Sequence, residues 1–268
     1  MQILKSLFNF YIHSSIHVAL AVVAFVVFRL QVSGINLEMD LILFLFLASV
    51  SGYNFVKYAG VAKLYHRSLT KQLRSIQLFS ALAFIGMLYF FFQLSVQSML
   101  LLLGLSLVNF LYAFPVFKNQ RNLRNLSGVK VFVIALVWAV STVCFPAVEY
   151  DVKFDAEMGL IFIQQLLMLV ALMIPFEIRD FRFDEKSLQT LPQIFGIWKT
   201  KLIGIFILFI CLIISMYLGS SEFSFTLIFS LFLSIFILFS SKQQNTYYAS
   251  FWVEAVPIMS CVLYFFIF

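Results

Sequence analysis

The sequence predicts an all-α fold: a polytopic membrane bundle of about nine transmembrane helices, forming a single transmembrane domain over residues 1–268. Three observations predict it. Hydrophobic residues make up 63% of the chain and charged residues only 11%, less than half the roughly 25% of a soluble domain. That is too little charge to cover a water-facing surface. The 35 Phe and 11 Tyr add more apolar area than one soluble core could hide, and the mean hydropathy is +1.01. Finally, the apolar residues gather into stretches of spanning length. A span takes ~20 residues, so nine spans and short loops use up the chain and leave no room for a soluble domain.

The stretches fall at 10–30, 40–60, 75–95, 97–116, 128–148, 158–178, 200–219, 223–240 and 249–268. The first follows Lys5 and meets no small-residue cleavage site, so it reads as a span and not as a leader. His13 and His17 share a face of it at i, i+4; with no acidic or cysteine partner they read as a packed polar pair. The fourth and eighth have very short flanking loops. Pro115, Pro146, Pro175 and Pro257 fall near helix ends or at kink positions, which membrane helices accommodate when neighbours satisfy the freed carbonyl. Cys144, Cys211 and Cys261 lie in apolar runs without paired spacing and read as small apolar filling. In span nine, Glu254 needs a polar partner, and Lys242 is a candidate if its loop folds back. Tyr247 and Tyr248 look like interfacial anchors.

Orientation follows from the basic residues. The loop after span two carries Lys63, Arg67, Lys71 and Arg74; the loop after span four carries Lys118, Arg121, Arg124 and Lys130; neither holds an acid. The loop after span six adds Arg179, Arg182 and Lys186, and span seven opens with Lys199 and Lys201. Of the 18 basic residues only Arg29 and Lys153 fall on the other side, which holds Glu38, Asp40, Glu149, Asp151, Asp155, Glu157 and Glu222. The basic side is expected to be cytoplasmic, with the N-terminus inside, the C-terminus outside and a bacterial cytoplasmic membrane as the setting. Anionic lipid headgroups account for most of these charges. Nucleic acid is not a fitting partner for bases scattered over short loops.

One segment asks for more. Glu177, Asp180 and Asp184 are spaced i, i+3 and i+7, which lines one face of a helix. Three carboxylates on one face repel unless a cation sits among them. Arg179, Arg182 and Lys186 are interleaved candidates. Mg²⁺ is the alternative, since it prefers oxygen ligands and is often held by one or two carboxylates plus substrate phosphates. Ionisable groups at membrane depth are costly and point to function.

Glu177-x-x-Asp180-x-x-x-Asp184, followed by Thr190-Leu191-Pro192 and Gly196, closely resembles the second aspartate-rich motif of the UbiA family of membrane prenyltransferases. The nine-span topology and the motif's place between spans six and seven are similar too. Tyr112-Ala-Phe-Pro115-Val-Phe-Lys118 resembles that family's tyrosine–proline–lysine turn. The family's first motif, N-x-x-x-D-x-x-x-D, is matched only at Asn54, because Tyr58 and Ala62 stand where its aspartates would be. Arg67-Ser68 lies where the family commonly has a basic residue followed by threonine. The resemblance implies transfer of a polyprenyl group from its diphosphate to an acceptor. It makes Glu177, Asp180 and Asp184 metal ligands, with Asp180 and Asp184 catalytic, and Asn54, Arg67, Tyr112 and Lys118 substrate-binding. With the first motif's acids gone, one Mg²⁺ site is expected and not two. Lys57, one turn from Asn54, can supply phosphate counter-charge as a point charge. The competing expectation is an inactive relative that binds isoprenoid lipid or a partner protein through the same cavity. A transporter fits less well, since no inverted repeat or paired broken helices are evident.

Overall fold

The computed structural model describes residues 2–58, 71–116, 122–126 and 128–268. Among them every regular element is a helix, and eight helices are long and apolar enough to cross a membrane, or nine if one bent pair counts as a span. The spans are α3 (Met39–Tyr58), α4 (Lys71–Phe91) and α5 (Val96–Ala113). A fourth joins α6 (Lys130–Ala139) to α7 (Phe145–Glu149). Then come α8 (Ala156–Asp180), the short α9 (Leu191–Phe195), α10 (Ile197–Leu218) and α11 (Ser220–Phe239). The last runs from Tyr248 into α12 (Val256–Ile267).

The expected first span, 10–30, is the one that differs. It is two helices, α1 (Gln2–His13) and α2 (Ile16–Val32), bent by 57° at their junction. Ser15 takes a left-handed backbone, φ 63° and ψ 19°, which a helix cannot continue through. The polar Ser14-Ser15 pair interrupts an otherwise apolar run, and the Ser14 carbonyl finds its partner outside the helix ladder, in the Asn54 amide. His13 and His17 therefore do not share a helical face. His17 is buried between the Tyr11 hydroxyl (2.7 Å to Nδ1) and the Phe251 carbonyl (2.8 Å from Nε2). The carbonyl can only accept, so Nε2 carries the proton and Nδ1 accepts from Tyr11.

Prolines shape two spans in the same way. A π segment, Val140–Cys144, lies just before Pro146, and another, Tyr248–Val253, just before Pro257. A proline ring would strike the carbonyl four residues back, and a widened turn relieves that clash.

Neighbouring helices close a ring in the order α2, α3, α5, α6, α8, α10, α11, α12 and back to α2, with α4 packed outside against α3. The core gathers on α8, where Leu169, Ala171, Leu172 and Ile174 are fully buried. α4 and α5 are mostly exposed, as lipid-facing helices should be. In lipid, association depends on close packing and polar contacts more than on apolar burial. Gly204 of α10 illustrates the packing: a Cβ there would stand 2.6 Å from the Ile174 side chain. Gln164 illustrates the polar part. Its amide donates to the Cys211 carbonyl (3.1 Å) and the Thr226 hydroxyl (3.0 Å), joining α8 to α10 and α11.

The two ends of the bundle differ in charge as the loops predict. At the acidic end Arg29 of α2 pairs with Glu222 of α11, both buried, and Glu149 accepts from the Ser95 backbone at the start of α5 (3.1 Å). The basic end holds the α1–α2 break, the close of α8 and the start of α6.

Candidate functional site

The acidic segment closes α8. The helix ends at Asp180, short of the continuous face that the spacing predicted, and Asp184 lies beyond it. One further turn is kept by bonds from the Phe183 and Asp184 amides to the Asp180 carbonyl (2.8 and 2.9 Å). That turn returns Asp184 to the side on which Glu177 and Asp180 lie, so the three carboxylates still converge.

They converge on Lys130. Its Nζ lies 3.4 Å from Glu177 Oε1, 3.6 Å from Asp180 Oδ2 and 3.1 Å from Asp184 Oδ2. The cation that three stacked acids require is thus the first residue of α6, a lysine the sequence presented only as part of a basic loop. Arg179, one of the interleaved candidates, bonds to Asp180 among the three. Its guanidinium donates from Nε at 2.7 Å and from Nη2 at 3.3 Å. Tyr112, buried at the end of α5, lies within electrostatic reach of Lys130, Glu177, Asp184 and Arg124. Beside the cluster opens a cavity of about 260 Å³, whose walls include Asn122, Arg124, Lys130 and Asp184.

Backbone contacts fix this arrangement. The Gly128 amide donates to the Leu188 carbonyl (2.8 Å), tying the approach to α6 directly to the segment after Asp184. Gly128 has φ +69°, a conformation that an L side chain adopts only at a cost of roughly 1–2 kcal/mol. No atom lies within 4 Å of a Cβ at that position, so Gly128→Ala is expected to lower stability by backbone strain alone. A thermal melt in detergent that shows no loss for Gly128→Ala would contradict the assigned geometry. On the far side of the loop, Gln193 of α9 donates to the Asp184 and Glu185 carbonyls (both 3.2 Å) and accepts from the Thr190 amide (3.1 Å). The Thr190–Gly196 stretch therefore folds the acidic loop back on itself, and Gly196, φ 78°, makes the joint to α10.

The remnant of the first motif does something different. Asn54 is buried, and its amide is fully engaged at the α1–α2 break. Nδ2 donates to the Ser14 carbonyl (2.9 Å) and the Ser80 hydroxyl (2.8 Å), while Oδ1 accepts from the Ser15 hydroxyl (2.8 Å). Tyr58, at an aspartate position of the motif, donates to the His13 carbonyl (3.0 Å), as does Lys57 (3.2 Å). Lys57 stays exposed and within electrostatic reach of Glu254 and Arg179. So Asn54 and Tyr58 hold the bend, and Lys57 stands at its edge facing the close of α8. Glu254 finds Lys57 and Arg179 as its charged neighbours. Lys242 instead caps the Phe181 ring at 3.9 Å. Arg67 and Lys118, both expected to bind substrate, lie outside the described residues, as does Ala62.

The carboxylates have the hard oxygen donors that Mg²⁺ takes, but here they enclose an ammonium. Among the described residues no three His, Cys, Asp or Glu side chains form a group that could hold a metal ion. As arranged, the three carboxylates cradle the Lys130 ammonium.

No family model and no curated protein matches the chain. Among solved structures, that of digeranylgeranylglyceryl phosphate synthase in membranes is similar, at 16% identity over 98% of each chain and a TM-score of 0.56. At that identity the likeness concerns the path of the helices. The chain has the fold of this membrane synthase, the polytopic helical bundle that the acidic segment and the nine apolar stretches led us to expect.

Proposed function

We propose that the chain transfers a polyprenyl group from its diphosphate to an acceptor at the membrane face bearing the basic loops, which the charge bias makes cytoplasmic. The observation that carries this reading is the convergence of Glu177, Asp180 and Asp184 on Lys130, beside Tyr112 and the cavity that Arg124 lines. It is supported by a fold shared with a membrane synthase.

The chemistry asks for positive charge at a leaving group. When the carbon–oxygen bond of an allylic diphosphate breaks, the electron pair stays on the departing oxygen. The acceptor then bonds to the allylic carbon and loses a proton. In a low-dielectric site, preorganised charge aimed at that oxygen lowers the barrier more than the same charge in water. Lys130 and Arg124 flank the cavity. The carboxylates hold the Lys130 ammonium in one place, so less reorganisation is needed when charge develops. The prenyl tail would run into the apolar bundle.

A second reading keeps the binding and drops the transfer. It is favoured by Tyr58, which replaces an acid and is committed to the His13 carbonyl. One assay separates the two. Purified protein in nanodiscs is given labelled polyprenyl diphosphates of several lengths, with and without acceptors extracted from membranes, and diphosphate release is followed. Release is expected, with Asp184→Asn lowering it by about 100-fold, the scale of losing one preorganised electrostatic group. Tight binding without release would establish the non-catalytic reading.

A further inference from the structure

We infer that Lys130 is the resident cation of the carboxylate cluster, occupying the place a divalent ion would take and making anion recognition at this site independent of metal. The inference rests on the location proposed above for the site, but not on turnover.

Three features argue for it. The first is geometry. A single Nζ lies within 3.6 Å of an oxygen from each of Glu177, Asp180 and Asp184. A lysine that only balanced surface charge would have no reason to be shared so evenly, or to be buried to 13% side-chain exposure. The second is charge. Lys130 and Arg179 already offset two of the three negative charges, Arg179 through its two bonds to Asp180. A divalent ion entering between the same oxygens would meet the ammonium at contact distance, where like charges repel strongly in a medium of low dielectric. It would bind only by expelling Lys130. The third is rigidity. Gly128 is bonded to Leu188, and Gln193 to the Asp184 and Glu185 carbonyls. The backbone on both sides of the cluster is thus pinned, which keeps the three carboxylates converged where the Lys130 ammonium meets them.

The same placement suits an anion. Lys130 forms a wall of the 260 Å³ cavity together with Arg124, Asn122 and Asn125. An ammonium has three donors and no acceptor, so one lysine can serve the carboxylates and still present charge to a phosphate. Diphosphate is the ligand class that uses this arrangement best, as two linked phosphate groups can address Lys130 and Arg124 together.

The test uses the full-length protein in nanodiscs, with Mn²⁺ and inorganic diphosphate as probes. Mn²⁺ binding is read by electron paramagnetic resonance and diphosphate binding by calorimetry. For the wild type, diphosphate is expected to bind equally in EDTA and in Mn²⁺, and Mn²⁺ alone to bind weakly and without change in Asp184→Asn. Lys130→Met is expected to bind Mn²⁺ at least tenfold more tightly, and to bind diphosphate at least tenfold more weakly until Mn²⁺ is added. The inference is overturned if wild-type diphosphate binding requires a divalent ion, or if wild-type Mn²⁺ binding is tight and lost in Asp184→Asn. The wild-type comparison decides the matter even if Lys130→Met does not fold. Neither readout involves turnover. A protein that never releases diphosphate can thus satisfy this inference, and one that transfers prenyl groups only with metal held by these carboxylates would defeat it alone.

Discussion

Replacing Arg29 with methionine is expected to cost about 3–5 kcal/mol of folding stability, the scale of leaving one partner of a buried ion pair alone. Arg29 and Glu222 are 193 residues apart in sequence and pair in the interior between α2 and α11. Without the guanidinium, the Glu222 carboxylate stays buried with no described residue bonded to it, and must take up a proton or drag water inward. The double variant Arg29→Met, Glu222→Met tests whether the penalty comes from the orphaned charge. It is expected to recover most of the loss, because apolar replacements of a buried pair are often close to neutral. The surroundings favour this recovery. Phe28 stacks on Phe225 at 3.7 Å between centroids, so the two helices keep an apolar contact without the pair. Unfolding in mixed micelles by a denaturing detergent measures both. A single variant as stable as the wild type would show that the pair does not hold α2 to α11.

Asn54→Leu is expected to destabilise by about 2–3 kcal/mol, taking about 1 kcal/mol for each of the bonds to Ser14, Ser15 and Ser80. The leucine leaves the Ser14 carbonyl without its amide donor at the point where the chain has already left the helical ladder. Among the described residues the left-handed Ser15 has no other side-chain bond to hold its conformation. The sharper expectation concerns which property changes. If Asn54 serves the bend, Asn54→Leu lowers the unfolding midpoint while the diphosphate affinity of the folded fraction stays within about twofold. A large affinity loss at unchanged stability would return Asn54 to substrate binding, the role its motif implied. Asn54→Asp provides contrast, since it keeps the shape and loses both donors.

These two residues show how differently the ends of the bundle could be read. Arg29 was legible only as one of two bases on an acidic side, and Glu222 only as a loop acid. Nothing local joins them, because a pair separated by that much chain is formed by packing. Asn54 was legible as a motif remnant. Two of its three partners are serines near the start of what reads as an unbroken first span, where hydropathy averages over two polar residues and cannot register a 57° bend. A local signal was nevertheless present: consecutive serines flanked by His13 and His17 inside an apolar run are an unusual concentration of polar groups for a lipid-facing helix.

The acidic segment divides in the same way. Its importance could be read directly, since three carboxylates within eight residues at a span end need a cation wherever they lie. The identity of that cation could not. Arg179, Arg182 and Lys186 are near in sequence, and of the three carboxylates Arg179 bonds only its neighbour Asp180. Lys130 lies 54 residues from Asp184 and is brought to the cluster by the packing of α6 on α8 and by the Gly128–Leu188 bond.

By itself, the sequence determined the solvent, the all-helical class, the place of the spans to within a few residues and the separation of basic and acidic ends. Each of these is a sum over many residues, or a periodicity along one helix, and needs no knowledge of what packs against what. Tertiary structure decided that the first span is broken, that Asn54 braces the break, that Arg29 meets Glu222, and that an ammonium stands among Glu177, Asp180 and Asp184. Those are single contacts between distant segments. The physical reason is that charge and hydrogen-bond partners in a low-dielectric interior are chosen by proximity after folding, and proximity across a bundle is set by helix packing that no local pattern encodes.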